Sequence, residues 1–156
     1  MSHVLVGAEF LIKTIEAMQS DSESVASKCV YEGAGVVADG IREAIKKLPL
    51  QTFDGRRRRG ITDVERKGLL DGLGISQHRH YNGVVETKIG FEGYNDYETD
   101  KYPQGHPNSM VARSIEAGTS WLTKTPFIAP TARRLKPEVV ESMQKELDRY
   151  IRTKEK

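Results

Sequence analysis

The sequence predicts an α+β fold: a small antiparallel sheet with a central hairpin, packed against long N-terminal helices and a C-terminal helix. Three observations predict it. Apolar residues recur at helical spacing through most of residues 6 to 48 and again after Pro137. Two β-rich runs flank Asn82-Gly83, the pair favoured in a two-residue type I′ turn. The 156 residues, 37% of them hydrophobic, suit one domain spanning 1–156 with a modest core.

The first helix covers about residues 6 to 19, with Ala8, Leu11, Ile12, Ile15 and Met18 on one face. Ser20 and Glu23 fit a capping box for a second helix, because each would satisfy an amide left free by the first turn. That helix runs to about Leu48, buries Val25, Cys29, Val36, Val37, Ile41, Ala44, Ile45 and Leu48, and stops at Pro49. Gly33, Gly35 and Gly40 inside it imply a bend or a closely packed neighbour. Residues 50–63, with the string QTFDGRRRRGIT, read as an exposed loop, and a short helix covers about 64 to 72.

Strands over 75–81 and 84–91 pair with Tyr81 opposite Val84, His80 opposite Val85, Arg79 opposite Glu86 and His78 opposite Thr87. The second strand turns Val85, Thr87, Ile89 and Phe91 toward the core. A second long loop, polar and tyrosine-rich, spans 92–106. Asn108 is placed to cap a helix that ends at Gly118. Pro137 takes the first position of the closing helix, Glu138 and Glu141 complement its dipole, and Val140, Met143, Leu147 and Tyr150 or Ile151 form its apolar stripe.

Composition excludes several function classes. One cysteine, Cys29, forms no internal disulfide and no cysteine-rich zinc site, and its apolar surroundings read as those of a buried thiol. No apolar run approaches the roughly 20 residues that span a bilayer, and the first residues lack the basic start of a signal peptide. The expectation is an intracellular site of synthesis. No phosphate-binding glycine loop and no nucleophile elbow occurs, and no cofactor is expected.

The net charge of +2 hides separate patches. Residues 1 to 48 balance at −2 and residues 56 to 67 at +4, while Glu92, Asp96, Glu98 and Asp100 stand without a base between them. Patches of opposite sign suit head-to-tail association of copies. The Arg56, Arg57, Arg58, Arg59 run has three readings: phosphate contacts without base readout, pairing with carboxylates of a neighbouring subunit, or a solvated loop that orders on assembly. His78 and His80 share a strand face, but with His106 they match no metal-site spacing, and half-exposed strand histidines are the preferred reading. The acids at 96, 98 and 100 alternate as in a calcium loop yet lack its glycine and terminal Glu.

The most specific strings lie further on. Met110-Val-Ala-Arg-Ser-Ile-Glu116-Ala-Gly118-Thr119-Ser120 resembles an Ala-x-x-x-Glu-Phe-Gly-Thr element, and Pro126-Phe127-Ile-Ala-Pro130-Thr131 resembles a Pro-Phe-Leu-Arg-Pro-Ala element. Both belong to the tail-component family of lambdoid phages, related to minor tail protein Z. The match covers mainly residues 107 to 135; Ala117 stands in place of an aromatic and Ala129 in place of a basic residue. In physical terms Gly118 ends a helix, Thr119 bonds locally, Pro126 and Pro130 stiffen the turn, and Trp121 and Phe127 are apolar anchors.

The resemblance implies a non-enzymatic neck or tail-completion protein of a tailed phage. It would form a ring, hexameric in the first place and dodecameric in the second, joining the capsid connector to the tail. Its implied partners are further copies of itself, head–tail connector or stopper proteins, the tail terminator or tail tube, and packaged DNA. Its implied places are the virion neck and, during assembly, the host cytoplasm. Arg56, Arg57, Arg58, Arg59, Tyr94, Tyr97, Tyr102, Glu116 and Trp121 are the expected interface residues, the arginines doubling as DNA-channel contacts. A tail terminator is the nearest alternative; a DNA-binding protein acting through the arginines and a metal-dependent hydrolase using His78 and His80 are the rivals from other classes.

Overall fold

The computed structural model describes residues 22–154, so the helix expected at 6–19 and the cap expected at Ser20 lie outside the described residues. The fold class is the expected one. Helix α1 (Ser22–Lys47) is followed by strands β1 (Thr52–Asp54) and β2 (Arg57–Arg59), helix α2 (Asp63–Gly72) and strands β3 (Leu73–Ile75), β4 (Arg79–Tyr81), β5 (Val84–Glu86) and β6 (Ile89–Phe91). Helices α3 (Asn108–Ala117) and α4 (Ala129–Lys154) complete it. The strands pair as three two-stranded sheets, β1 with β2, β3 with β6 and β4 with β5.

The chain divides into two compact units. The first comprises residues 22–37, 75–88 and 134–154 of the described chain. In it the start of α1 packs on the later turns of α4, burying Val25 and Cys29 against Val139, Met143 and Leu147. Gly33 explains itself here: a Cβ at that position would stand 3.0 Å from Met143 and 3.1 Å from Val139, so the missing side chain lets the two helices close on each other. The stripe of α4 differs by one residue from the expected one, for Val139 is buried and Val140 is exposed. Cys29 is wholly buried, and burial pushes its thiol up to about 11, which keeps it protonated and inert.

The Asn82-Gly83 turn forms in the first unit as expected, with φ of 48° and 75°. Its register is also the expected one for Arg79–Glu86, His80–Val85 and Tyr81–Val84. The pairing of His78 with Thr87 does not form. Ser76 instead donates its amide to the Lys88 carbonyl at 2.7 Å. From Ser76 to Arg79 the first strand advances three residues while the second advances two, so the extra residue is a β-bulge that splits the long hairpin.

The second unit comprises Ala38–Gly74 and Ile89–Arg133. Its buried residues include Ile41, Ile45, Ile61, Leu69, Ile115, Leu122 and Phe127. Residues 50–63 are no open loop here. They fold into the β1–β2 hairpin, with Phe53 across from Arg58 and a two-residue Gly55-Arg56 turn. Helix α2 starts on a capping box: Thr62 Oγ1 accepts from the Glu65 amide at 3.1 Å, and Glu65 Oε2 accepts from the Thr62 amide at 2.9 Å.

Two helix starts differ from expectation. Asn108 makes no capping bond to α3, because it is the first helical residue and its buried amide donates to the Glu92 carbonyl at 2.9 Å. Helix α4 begins at Ala129, two turns before Pro137, which sits inside it. Glu138 and Glu141 are therefore mid-helix residues, and Glu141 pairs with Lys145 at 3.0 Å instead of serving the dipole.

Candidate functional site

Four places in the molecule gather the residues that sequence patterns single out. The first is the junction of residues 110–120 with residues 126–131, within the second unit. Helix α3 ends where Gly118 adopts φ 76°, and a Cβ there would lie 3.0 Å from Lys124, so the glycine is required both for its conformation and for the close return of the chain. Thr119 exchanges hydrogen bonds with Leu122: its amide donates to the carbonyl at 2.9 Å and its Oγ1 accepts from the amide at 3.0 Å.

This reversal brings the start of α4 back to Glu116. The carboxylate accepts from the amides of Phe127 at 2.7 Å, Ile128 at 2.9 Å and Ala129 at 2.9 Å. Those amides belong to the end of a helix that has no partners of its own for them, where the helix dipole also favours an anion. Partial burial pushes the Glu116 carboxyl up, but the three amides and the nearby Lys124 outweigh it and hold the group below the ordinary carboxylate range. Thr131 Oγ1 adds a bond to the Phe127 carbonyl at 2.6 Å, and the Phe127 ring is buried edge-on against Phe91 at 6.2 Å between centroids. Glu116, expected at an interface, is thus the cap of α4 and is not free for a partner.

The second place is the arginine hairpin. Strand alternation separates the four arginines. Arg58 turns in and donates to Glu65 at 2.9 Å, with both side chains close to nine-tenths buried. Its guanidinium also lies 5.4 Å from the Trp121 ring, and its backbone pairs with 121–123 through bonds of 2.8 Å to the Trp121 carbonyl and from the Thr123 amide. Arg58 is therefore a structural residue, and not the interface or DNA-channel contact expected of it. Arg56, Arg57 and Arg59 remain exposed, and among the described residues none of them forms an ion pair. Phe53, 67% exposed, and Trp121, 53% exposed, flank Arg58 as bare aromatic surface.

The third place is the loop at 92–106, which is ordered by one buried side chain. Asn95 Oδ1 accepts from the amides of Tyr97 at 3.1 Å and His106 at 3.0 Å, while the Asn95 amide donates to the His106 carbonyl at 2.9 Å. The loop is pinched at its two ends, and His106 is held edge-on between Tyr97 and Tyr102 at 5.3 and 4.8 Å. Tyr102 is half-buried, its hydroxyl against Met110 Sδ at 3.6 Å, so it is a packing residue and not the exposed contact expected of it. Tyr94 and Tyr97 are exposed, as are Asp96, Glu98 and Asp100. Sequence reasoning passed over Glu65 and Asn95. The Thr62-x-x-Glu65 spacing signals the first, whereas no local pattern marks the second.

In the first unit His78 and His80 meet edge-on at 5.2 Å beside an open depression of about 660 Å³ lined also by Glu23, Ser27 and Glu146. His80 Nε2 is 3.3 Å from Ser27 Oγ, but the Ser27 hydroxyl donates to the Glu23 carbonyl at 2.7 Å. That polarity makes Ser27 an acceptor toward the imidazole, the reverse of a nucleophile giving its proton to a base. Among the described residues no three His, Cys, Asp or Glu side chains are grouped to hold a metal ion, and no helix is long and apolar enough to cross a membrane. Comparison with protein families, curated proteins and solved structures finds no match for this chain.

Proposed function

We propose that this chain is a structural protein of a tailed-phage particle, a neck or tail-completion protein that forms a ring between the capsid connector and the tail. The interlock of residues 116 and 127–129 carries the reading. Two strings that resemble one family's elements are here a single physical device, since the glutamate of the first caps the helix opened by the second. A resemblance spread over residues 110–131 gains weight when its parts depend on one another in space. Exposed aromatic and charged surfaces on ordered loops add support, because interfaces favour Tyr, Trp, Phe and Arg.

In this reading copies of the chain assemble with one another and with connector, stopper, terminator or tube proteins, first in the host cytoplasm and finally in the particle. No cofactor takes part. Quantitative mass spectrometry of purified particles tests it: the polypeptide is expected at a ring-like copy number. Particles complete without it would remove the reading.

A second reading, binding to DNA by the free protein, is favoured by the three exposed arginines on one hairpin. It requires a steep salt slope that flattens in R56Q/R57Q/R59Q. Affinity unchanged by those substitutions would exclude it.

A further inference from the structure

Among the described residues Arg56, Arg57 and Arg59 on the hairpin and Glu98 and Asp100 on the loop form no ion pair, and the two sets are complementary in charge. The hairpin carries exposed Arg56, Arg57 and Arg59 together with bare Phe53, and bare Trp121 lies beside its Arg58; on the loop Glu98 and Asp100 accompany bare Tyr94 and Tyr97. Both surfaces belong to the second unit and are anchored on the same helix. The hairpin is tied to the first turn of α2 through Arg58–Glu65, and the loop is tied further along it through Lys67–Asp96 at 3.4 Å. Among the described residues no ion pair joins the two surfaces.

We propose that the hairpin of one copy docks on the 92–106 loop of a second copy, arginines against carboxylates and aromatic against aromatic. This rests on the assembly reading above and names the surfaces through which copies meet. A second copy is the occupant because each surface finds its complement in charge and in aromatic content on the same polypeptide. The two patches are different, so the contact is heterologous and propagates into a ring when its rotation closes. Both surfaces are ordered beforehand, the hairpin by the buried Arg58 and the loop by Asn95, so little conformational entropy is lost on docking. The exposed charges make the contact salt-sensitive.

Reciprocal charge reversal tests the pairing with the full chain. R56E/R57E/R59E and E98K/D100K are made separately, checked for wild-type thermal unfolding, and followed by sedimentation over a wide concentration range at low salt. Each alone is expected to self-associate at least about tenfold more weakly than wild type. An equimolar mixture is expected to recover, because each reversed hairpin then faces a reversed loop and each native hairpin a native loop. Folded variants that associate like wild type, a mixture that fails to recover, or a wild type monomeric throughout would each overturn the surface assignment. Failure of the assembly reading is distinguishable: recovery as a closed pair of chains keeps the surfaces and removes the ring, whereas rings unaffected by reversal keep the ring and remove the surfaces.

Discussion

Substituting Glu116 by alanine strips three helix-terminal amides of one shared acceptor, and the loss should show in stability rather than in surface chemistry. E116A is expected to cost about 2–3 kcal/mol, the range of a lost cap and of charged hydrogen bonds, read as a fall in the denaturation midpoint. The pH dependence follows from the same group. Its folded pKa is depressed, so its contribution is complete above the ordinary glutamate value of about 4.3 and fades as pH falls through the lower folded value. E116Q should flatten the acid limb of the wild-type stability curve in that window; an unchanged limb would deny the carboxylate this role. The arginines separate at the same scale. R58A leaves Glu65 buried without its partner and should cost about 3–5 kcal/mol, whereas R57A should stay within about 0.5 kcal/mol of wild type. Nothing in four identical residues distinguishes Arg58. Strand alternation does, but that signal becomes legible only once residues 52–59 are recognised as a hairpin.

Loop 92–106 shows how far an element can depend on one crowded position. Gly105 has φ 94°, and a Cβ there would stand 1.8 Å from the Asn95 carbonyl oxygen. G105A should therefore break the bonds that Asn95 makes across the loop, cost about 2 kcal/mol or more, and abolish hydrogen-exchange protection at the Asn95 and His106 amides. Retained protection would mean the loop is held by something else. Elements governed by local rules were legible in the sequence: the Asn82-Gly83 turn, its first three pairs, the end of α1 before Pro49 and the Gly118 stop. Elements governed by distant partners were not. Pro137 offers an attractive helix start, yet the start is decided by the Glu116 carboxylate, eleven residues and more from the amides it accepts. The bulge after Ser76 likewise depends on Thr87 and Lys88, whose Oγ1 and amide bond the Ser76 carbonyl and hydroxyl at 2.7 and 2.9 Å.

For the molecule as a whole, the sequence disclosed its fold class and its separated charge through periodicity and counting alone. The division into two compact units was hidden, because α1 and α4 each contribute to both and no linker marks a boundary. Of the expected interface residues, Arg58, Tyr102 and Glu116 are partly buried and bonded within their own chain, while Arg56, Arg57, Arg59, Tyr94, Tyr97 and Trp121 remain at the surface. What remains exposed is consistent in character: cations and aromatics on one ordered hairpin, anions and aromatics on one ordered loop. Such surfaces bring assembly to the front, and the proposed role at a phage head–tail junction has a direct test. The gene is deleted from the producing phage or prophage and the lysate is imaged by negative-stain electron microscopy. Filled heads lying apart from complete tails are the expected result; normal joined particles would contradict the account.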